Sequence, residues 1–143
     1  MKCVYVLNGP NLNLLGTREP DTYGAEKLSD VEARLERLCV AAQIELVFRQ
    51  SNSEGDLVTW IQEAGLQGAP VILNAGAYTH TSIALHDAIR GAAAHVIELH
   101  ISNVHAREAF RHHSTISPVA KGIIIGFGVS GYELALHSLL SNT

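Results

Sequence analysis

Short apolar, β-branched runs alternate with longer stretches of helical periodicity along the whole chain, and no other feature restricts the fold as strongly. Cys3 to Asn8, Ile44 to Arg49, Pro70 to Asn74, His95 to His100 and Gly122 to Ile125 read as strands. Leu28, Val31, Leu35 and Leu38 recur at helical spacing and predict a first amphipathic helix. Leu57 to Leu66 predicts a second around Trp60 and Ile61, Ser82 to Arg90 a third, and Gly131 to Leu140 a closing one. A short helix is expected near His105 to Phe110. Strands and helices that alternate in this way build a parallel sheet covered on both faces.

Right-handed crossovers leave few topologies for such a chain. At 143 residues the expectation is one α/β domain over 1–143, a doubly wound, five-stranded parallel sheet of flavodoxin-like order. Hydrophobic residues at 47% against 17% charged fit a packed core and exclude a disordered chain. The net charge of -4, with no basic stripe, argues against a nucleic-acid partner. No apolar run is long enough for a membrane span, and Met1 to Leu7 is too short for a secretory signal, so a cytoplasmic protein is expected. Cys3 and Cys39 lie in apolar segments and read as core thiols of a reducing compartment.

In an open α/β sheet, ligands bind beyond the carboxyl ends of the strands. Polar residues collect there: Asn8, Asn11, Asn13, Arg18 and Tyr23 after the first strand, Asn74, Tyr78 and His80 after the third, and Glu98 to Asn103 at the end of the fourth. The connection from Gly9 to Glu26 is far longer than the two to six residues, roughly, that such a unit needs, which marks a functional loop. Glu98, His100 and Ser102 are spaced by two and share one face of an extended strand. The carboxylate is then placed to orient the imidazole as a general acid or base; the alternative is a strand-end histidine kept polar for solubility.

Arg18 and Tyr23 share the long loop. Bringing a phenol from a pKa near ~10 to about 7 takes roughly 4 kcal/mol, about what one cation at ~4 Å supplies at an effective dielectric of ~20. On the residues alone, a surface loop in which both side chains merely pack is the simpler alternative. Ser102 and Asn103 precede a predicted helix start suited to an anion, with Arg107 and Arg111 four apart on one face. Ordinary capping with solvated arginines accounts for the same spacing.

Three other signals are weak. Gly126-x-Gly128-x-x-Gly131 resembles a dinucleotide fingerprint but follows the last strand, with no acidic ribose contact after it. His105, His112 and His113 lack metal-ligand spacing. The lysines, Lys2, Lys27 and Lys121, are poorly placed for imine chemistry. A flavin-binding turn would want serines or threonines where Asn8-Gly9-Pro10-Asn11 stands, and a phosphoacceptor an aspartate where Asn74 stands.

Three long motifs then carry a resemblance to type II 3-dehydroquinate dehydratases. They are Asn8-Gly9-Pro10-Asn11-Leu12-Asn13-Leu14-Leu15-Gly16-Thr17-Arg18-Glu19-Pro20 with Tyr23-Gly24, Asn74-Ala75-Gly76-Ala77-Tyr78-Thr79-His80-Thr81-Ser82, and Glu98-Leu99-His100-Ile101-Ser102-Asn103 with Arg107-Glu108 and Phe110-Arg111-His112. The resemblance spans essentially the whole chain. It implies a flavodoxin-like fold and the trans elimination of water from 3-dehydroquinate through an enolate, giving 3-dehydroshikimate, without metal or other cofactor. By matching positions, Tyr23 is the implied base, Arg18 the cation holding it as phenolate, and Asn11 an enolate-stabilising group acting through a water. His100 supported by Glu98 is the implied acid. Asn74 with the backbone of Ile101 and Ser102 is implied for the substrate carboxylate, and His80 and Arg111 for ring hydroxyls. Asp87 matches an aspartate that reaches a neighbouring subunit's site, which implies a dodecamer built from trimers. Ala75 and His86 stand where many members carry proline and arginine.

Overall fold

The computed structural model describes residues 1–17, 21 and 25–141. Five parallel strands form one sheet: β1 (Cys3–Asn8), β2 (Glu45–Gln50), β3 (Val71–Asn74), β4 (Val96–His100) and β5 (Gly122–Ile125), in the order β2-β1-β3-β4-β5. Among the described residues, the helices longer than one turn are α1 (Leu28–Ala42), α2 (Glu54–Gln67), α3 (Ile83–Gly91) and α4 (Ser130–Ser141). The expected flavodoxin-like topology is therefore the one found. Its order reverses between β1 and β3, and there the chain leaves neighbouring strands in opposite directions and opens a crevice.

The pleat divides the core in two. Tyr5, Leu7, Val71, Leu73 and Val96 pack with Leu57, Ile61, Leu85 and Ile89 of α2 and α3 on one face. Val4, Val6, Ile72, Ile97 and Leu99 pack with Val31, Leu35, Tyr132 and Leu136 of α1 and α4 on the other. Central strands buried on both faces explain the near-continuous apolar runs in the sequence. Each buried core side chain of this size adds about 1.5–3 kcal/mol of transfer free energy.

Helix starts are set by short polar side chains. Ser53 accepts from the Asp56 N–H at 3.3 Å and Ser82 from the Leu85 N–H at 3.0 Å, so α2 and α3 begin at fixed points. α2 thus starts three residues before the predicted Leu57, because its first turn is built from polar residues that carry no apolar period.

The stretch after β4 departs from expectation. In place of one short helix there are two single 3₁₀ turns, Val104–Ala106 and Ala109–Arg111. Arg107, at φ -105° and ψ -165°, is extended backbone between them. Arg107 and Arg111 therefore do not share a helix face, and no helix dipole of useful length starts at Ser102.

At the crevice the ends of β1 and β3 touch through backbone. A Cβ on Gly9 would lie 2.4 Å from the Ala75 carbonyl oxygen, and one on Gly76, at φ +59°, 3.1 Å from that of Pro10. Only glycines allow the loops to lie this close, and Pro10 and Gly76 line the cleft described next.

Candidate active site

A cleft of about 150 Å³ opens beyond the carboxyl ends of β1, β3 and β4, lined among others by Asn11, Asn74, His80, His100, Ser102 and Arg111. Pockets for drug-sized ligands run from about 300 to 1,000 Å³, so this one suits a small molecule. Ile101 and Arg107 also line it. Asn8, Asn13 and Tyr78, grouped with these residues on sequence grounds, do not. Asn8 is fully buried beneath the cleft, and the Tyr78 hydroxyl donates to the Asn52 carbonyl at 2.7 Å.

Asn11 sits at φ +69°, a left-handed conformation that asparagine tolerates better than most residues. Its N–H donates to Oδ1 of Asn52 at 3.0 Å, and Gln50 Nε2 donates to the same oxygen at 3.2 Å. Asn52, in the loop after β2, thus holds the backbone of a residue on the neighbouring strand's loop. Sequence inspection misses it, because the contact spans 41 residues.

β4 carries Glu98 and His100 on one face, as their spacing predicts; His100 lines the cleft and Glu98 stands behind it. Both are buried, and His100 Nε2 lies 2.5 Å from Glu98 Oε2. Ser114 Oγ donates to Glu98 Oε2 at 2.9 Å and Ser117 Oγ to Glu98 Oε1 at 2.5 Å. With Nε2 turned to the carboxylate, Nδ1 is the nitrogen of His100 left for a ligand. The two serines come from the irregular segment before β5, where no periodicity in the sequence marks them.

Burial works to raise the Glu98 pKa, but the hydrogen bonds from His100 and Ser117, the His100 charge and the Ser114 bond outweigh it and hold the carboxyl below its ordinary value. The sign follows. A depressed folded-state pKa contributes stability that is complete above the unfolded carboxylate value, near about 4.3, and is lost as pH falls through the lower folded value. Glu98→Gln is therefore expected to flatten the acid limb of a stability-versus-pH curve measured by denaturant unfolding. An acid limb identical to that of the unaltered chain would contradict it.

His80 Nδ1 lies 2.8 Å from the His113 carbonyl, which can only accept. The proton is thus on Nδ1, and Nε2 of the neutral ring is an acceptor. The His80 and His100 rings lie near parallel, with centroids 6.4 Å apart. Arg111 Nε is 3.3 Å from both oxygens of Glu108, which orients its guanidinium at the rim. Arg107 Nη1 donates to Ser102 Oγ at 3.4 Å.

Arg18 and Tyr23, the implied cation and base, lie outside the described residues. Asp87 is exposed and lines a groove between α2 and α3 with Val58 and Leu66, away from this chain's own cleft. Lys2, Lys27 and Lys121 are all exposed and none lines the cleft. Among the described residues, no three His, Cys, Asp or Glu are grouped to hold a metal ion, and no helix is long and apolar enough to cross a membrane. The Gly126-x-Gly128-x-x-Gly131 run is the turn into α4: Gly126 and Gly128 have φ of +90° and +61°, and a Cβ on Gly131 would meet Leu99 at 2.7 Å. Its glycines serve the turn and the helix–sheet contact.

Known proteins share this sequence pattern and fold. The pattern of the family described as dehydroquinase class II matches residues 2–140. The 3-dehydroquinate dehydratase of Brucella canis is 60% identical over 138 residues, covering 96% of this chain and 88% of that protein. The type II dehydroquinase of Propionibacterium acnes superposes with a TM-score of 0.94 at 44% identity, covering 99% of this chain and 97% of that one. That of Butyrivibrio crossotus gives 0.92 at 42% identity, with 98% and 97% covered.

Proposed function

The chain belongs to the class II dehydroquinase family, and from that premise we infer that it catalyses the dehydration of 3-dehydroquinate to 3-dehydroshikimate, a lyase step of the shikimate pathway or of quinate catabolism. The observation that carries the site assignment is the buried Glu98–His100 pair, of which His100 lines the cleft, with one imidazole nitrogen committed to the carboxylate and the other available.

The chemistry needs a base for the proton beside the ketone, a group that stabilises the enolate, and an acid for the leaving hydroxyl. We assign Tyr23 as the base, with Arg18 holding it as phenolate, and Asn11 as the enolate-side group acting through a water. His100, oriented by Glu98, protonates the departing oxygen on the opposite ring face. The electron pair of the broken C–H bond passes through the enolate and expels the hydroxyl as water. Asn74 with the Ile101 and Ser102 backbone takes the substrate carboxylate. His80, with its acceptor nitrogen, and Arg111, held by Glu108, take ring hydroxyls.

The direct test is the ultraviolet absorbance of the conjugated enone. It is expected to rise when the purified chain meets 3-dehydroquinate; no rise refutes the activity.

Asp87 is assigned to a neighbouring subunit's cleft, in a dodecamer of trimers. Exposed Leu66 (84%) and Ile83 (69%) beside its groove, and Ile123 (47%) on the β5 edge, support assembly. An apolar edge strand left open invites pairing with other chains unless something covers it. Sedimentation equilibrium is expected to give a twelve-chain mass, and a monomer would overturn the assignment.

A further inference from the structure

One buried hydroxyl is left unused by the mechanism. Tyr132 of α4 is fully buried, and its hydroxyl joins two asparagines at the ends of β1 and β3. It donates to Asn8 Oδ1 at 2.6 Å and accepts from Asn74 Nδ2 at 3.0 Å. Asn8 Nδ2 in turn donates to the Arg49 carbonyl at 3.1 Å, and Asn74 Oδ1 accepts from the Gly76 N–H at 3.3 Å.

The chain of bonds ends on backbone at both sides, and that fixes its direction. A carbonyl can only accept, so Arg49 forces the Asn8 amide nitrogen toward it and the Asn8 oxygen toward Tyr132. The phenol must then give its proton to Asn8 and offer its lone pair to Asn74. The amide nitrogen of Asn74 consequently faces Tyr132, and its oxygen faces the Gly76 N–H. No member can reverse without leaving a buried donor against a donor, or an acceptor against an acceptor. Burial pushes the Tyr132 phenol far up, with the Asn74 bond offsetting only part, so the group stays a neutral hydroxyl. Asn74 lines the cleft, and its amide nitrogen carries two hydrogens, of which Tyr132 takes one.

We propose that Tyr132 is a positioning residue for ligand binding: it passes the polarity of the Arg49 carbonyl to the Asn74 amide, so that Asn74 offers N–H, not oxygen, to a carboxylate in the cleft. The role rests on the assignment of Asn74 to the substrate carboxylate made above. With phenylalanine at 132, the Asn74 nitrogen loses its acceptor, and only the 3.3 Å bond from the Gly76 N–H still opposes a turn of the amide oxygen toward the anion.

The experiment compares the full unaltered chain with Tyr132→Phe. The expected result is a KM for 3-dehydroquinate raised about tenfold, roughly one hydrogen bond to a charged group, with kcat changed less than about twofold. Inhibition by quinate, which keeps the carboxylate, should weaken in step. Inhibition by quinate carboxamide, which can meet either face of an amide, should not change. A merely structural role would weaken both inhibitors alike, and that outcome, or an unchanged KM, overturns the proposal. If Tyr132→Phe does not fold, Asn8→Leu/Tyr132→Phe removes both buried partners together, the milder change for a core, and must show the same split. An unaltered chain with no turnover would instead overturn the functional assignment itself.

Discussion

His100→Gln is expected to lower kcat by about 10²–10⁴-fold, the range for loss of a positioned acid, while KM stays close to that of the unaltered chain. Glutamine fills similar space and can still hydrogen-bond to Glu98, but it has no proton to give at neutral pH. The surrounding structure should hold, because Glu98 keeps its bonds from Ser114 and Ser117. The useful readout is partial chemistry. If His100 serves only the departure of the hydroxyl, proton removal beside the ketone survives its loss. The variant should then exchange that hydrogen with deuterium from solvent, without forming enone. Steady-state assays together with NMR of recovered substrate check both statements. A His100→Gln enzyme that retains a tenth or more of its kcat would place the acid elsewhere.

Tyr23→Phe should be at least as damaging, again by about 10²–10⁴-fold in kcat, with the opposite isotope result. Phenylalanine keeps the ring and loses the oxygen, so neither exchange nor dehydration should proceed. Both Tyr23 and its proposed partner Arg18 lie outside the described residues, and the expectation rests on their place in the first motif and on the energetics of the phenol. One cation at contact distance is about what brings such a group into the neutral range. Arg18→Ala should therefore leave a base of much higher pKa, shifting the kcat optimum toward alkaline pH while substrate still binds. Deuterium exchange at the normal rate in Tyr23→Phe would remove tyrosine from the mechanism.

Much of this was legible in the sequence. Parallel central strands must be apolar on both faces, so β1, β3 and β4 announce themselves, and the alternation of Glu98 and His100 along β4 places both on one face. The limits have equally physical causes. Ser114, Ser117, Asn52 and Tyr132 act on residues 16 to 124 positions away, through turns or a helix face that carry no local signature of the task. The spacing of four between Arg107 and Arg111 fits a helix and predicts a shared face. The chain instead makes two separate 3₁₀ turns with extended backbone at Arg107 between them. Both arginines reach the cleft all the same.

The contact of Gly9 with Ala75 makes two distant sequence positions a single steric unit. Bulk introduced at residue 9 has no vacant direction and must displace the opposite loop, carrying Asn74 with it. Anyone randomising the loop after β1 to reshape specificity should expect residue 9 to tolerate almost nothing. Ala75, at φ -75° and nearly inaccessible, already has a backbone angle that proline accepts. A substitution at 75 is therefore a question of stiffness, and one at 9 a question of volume.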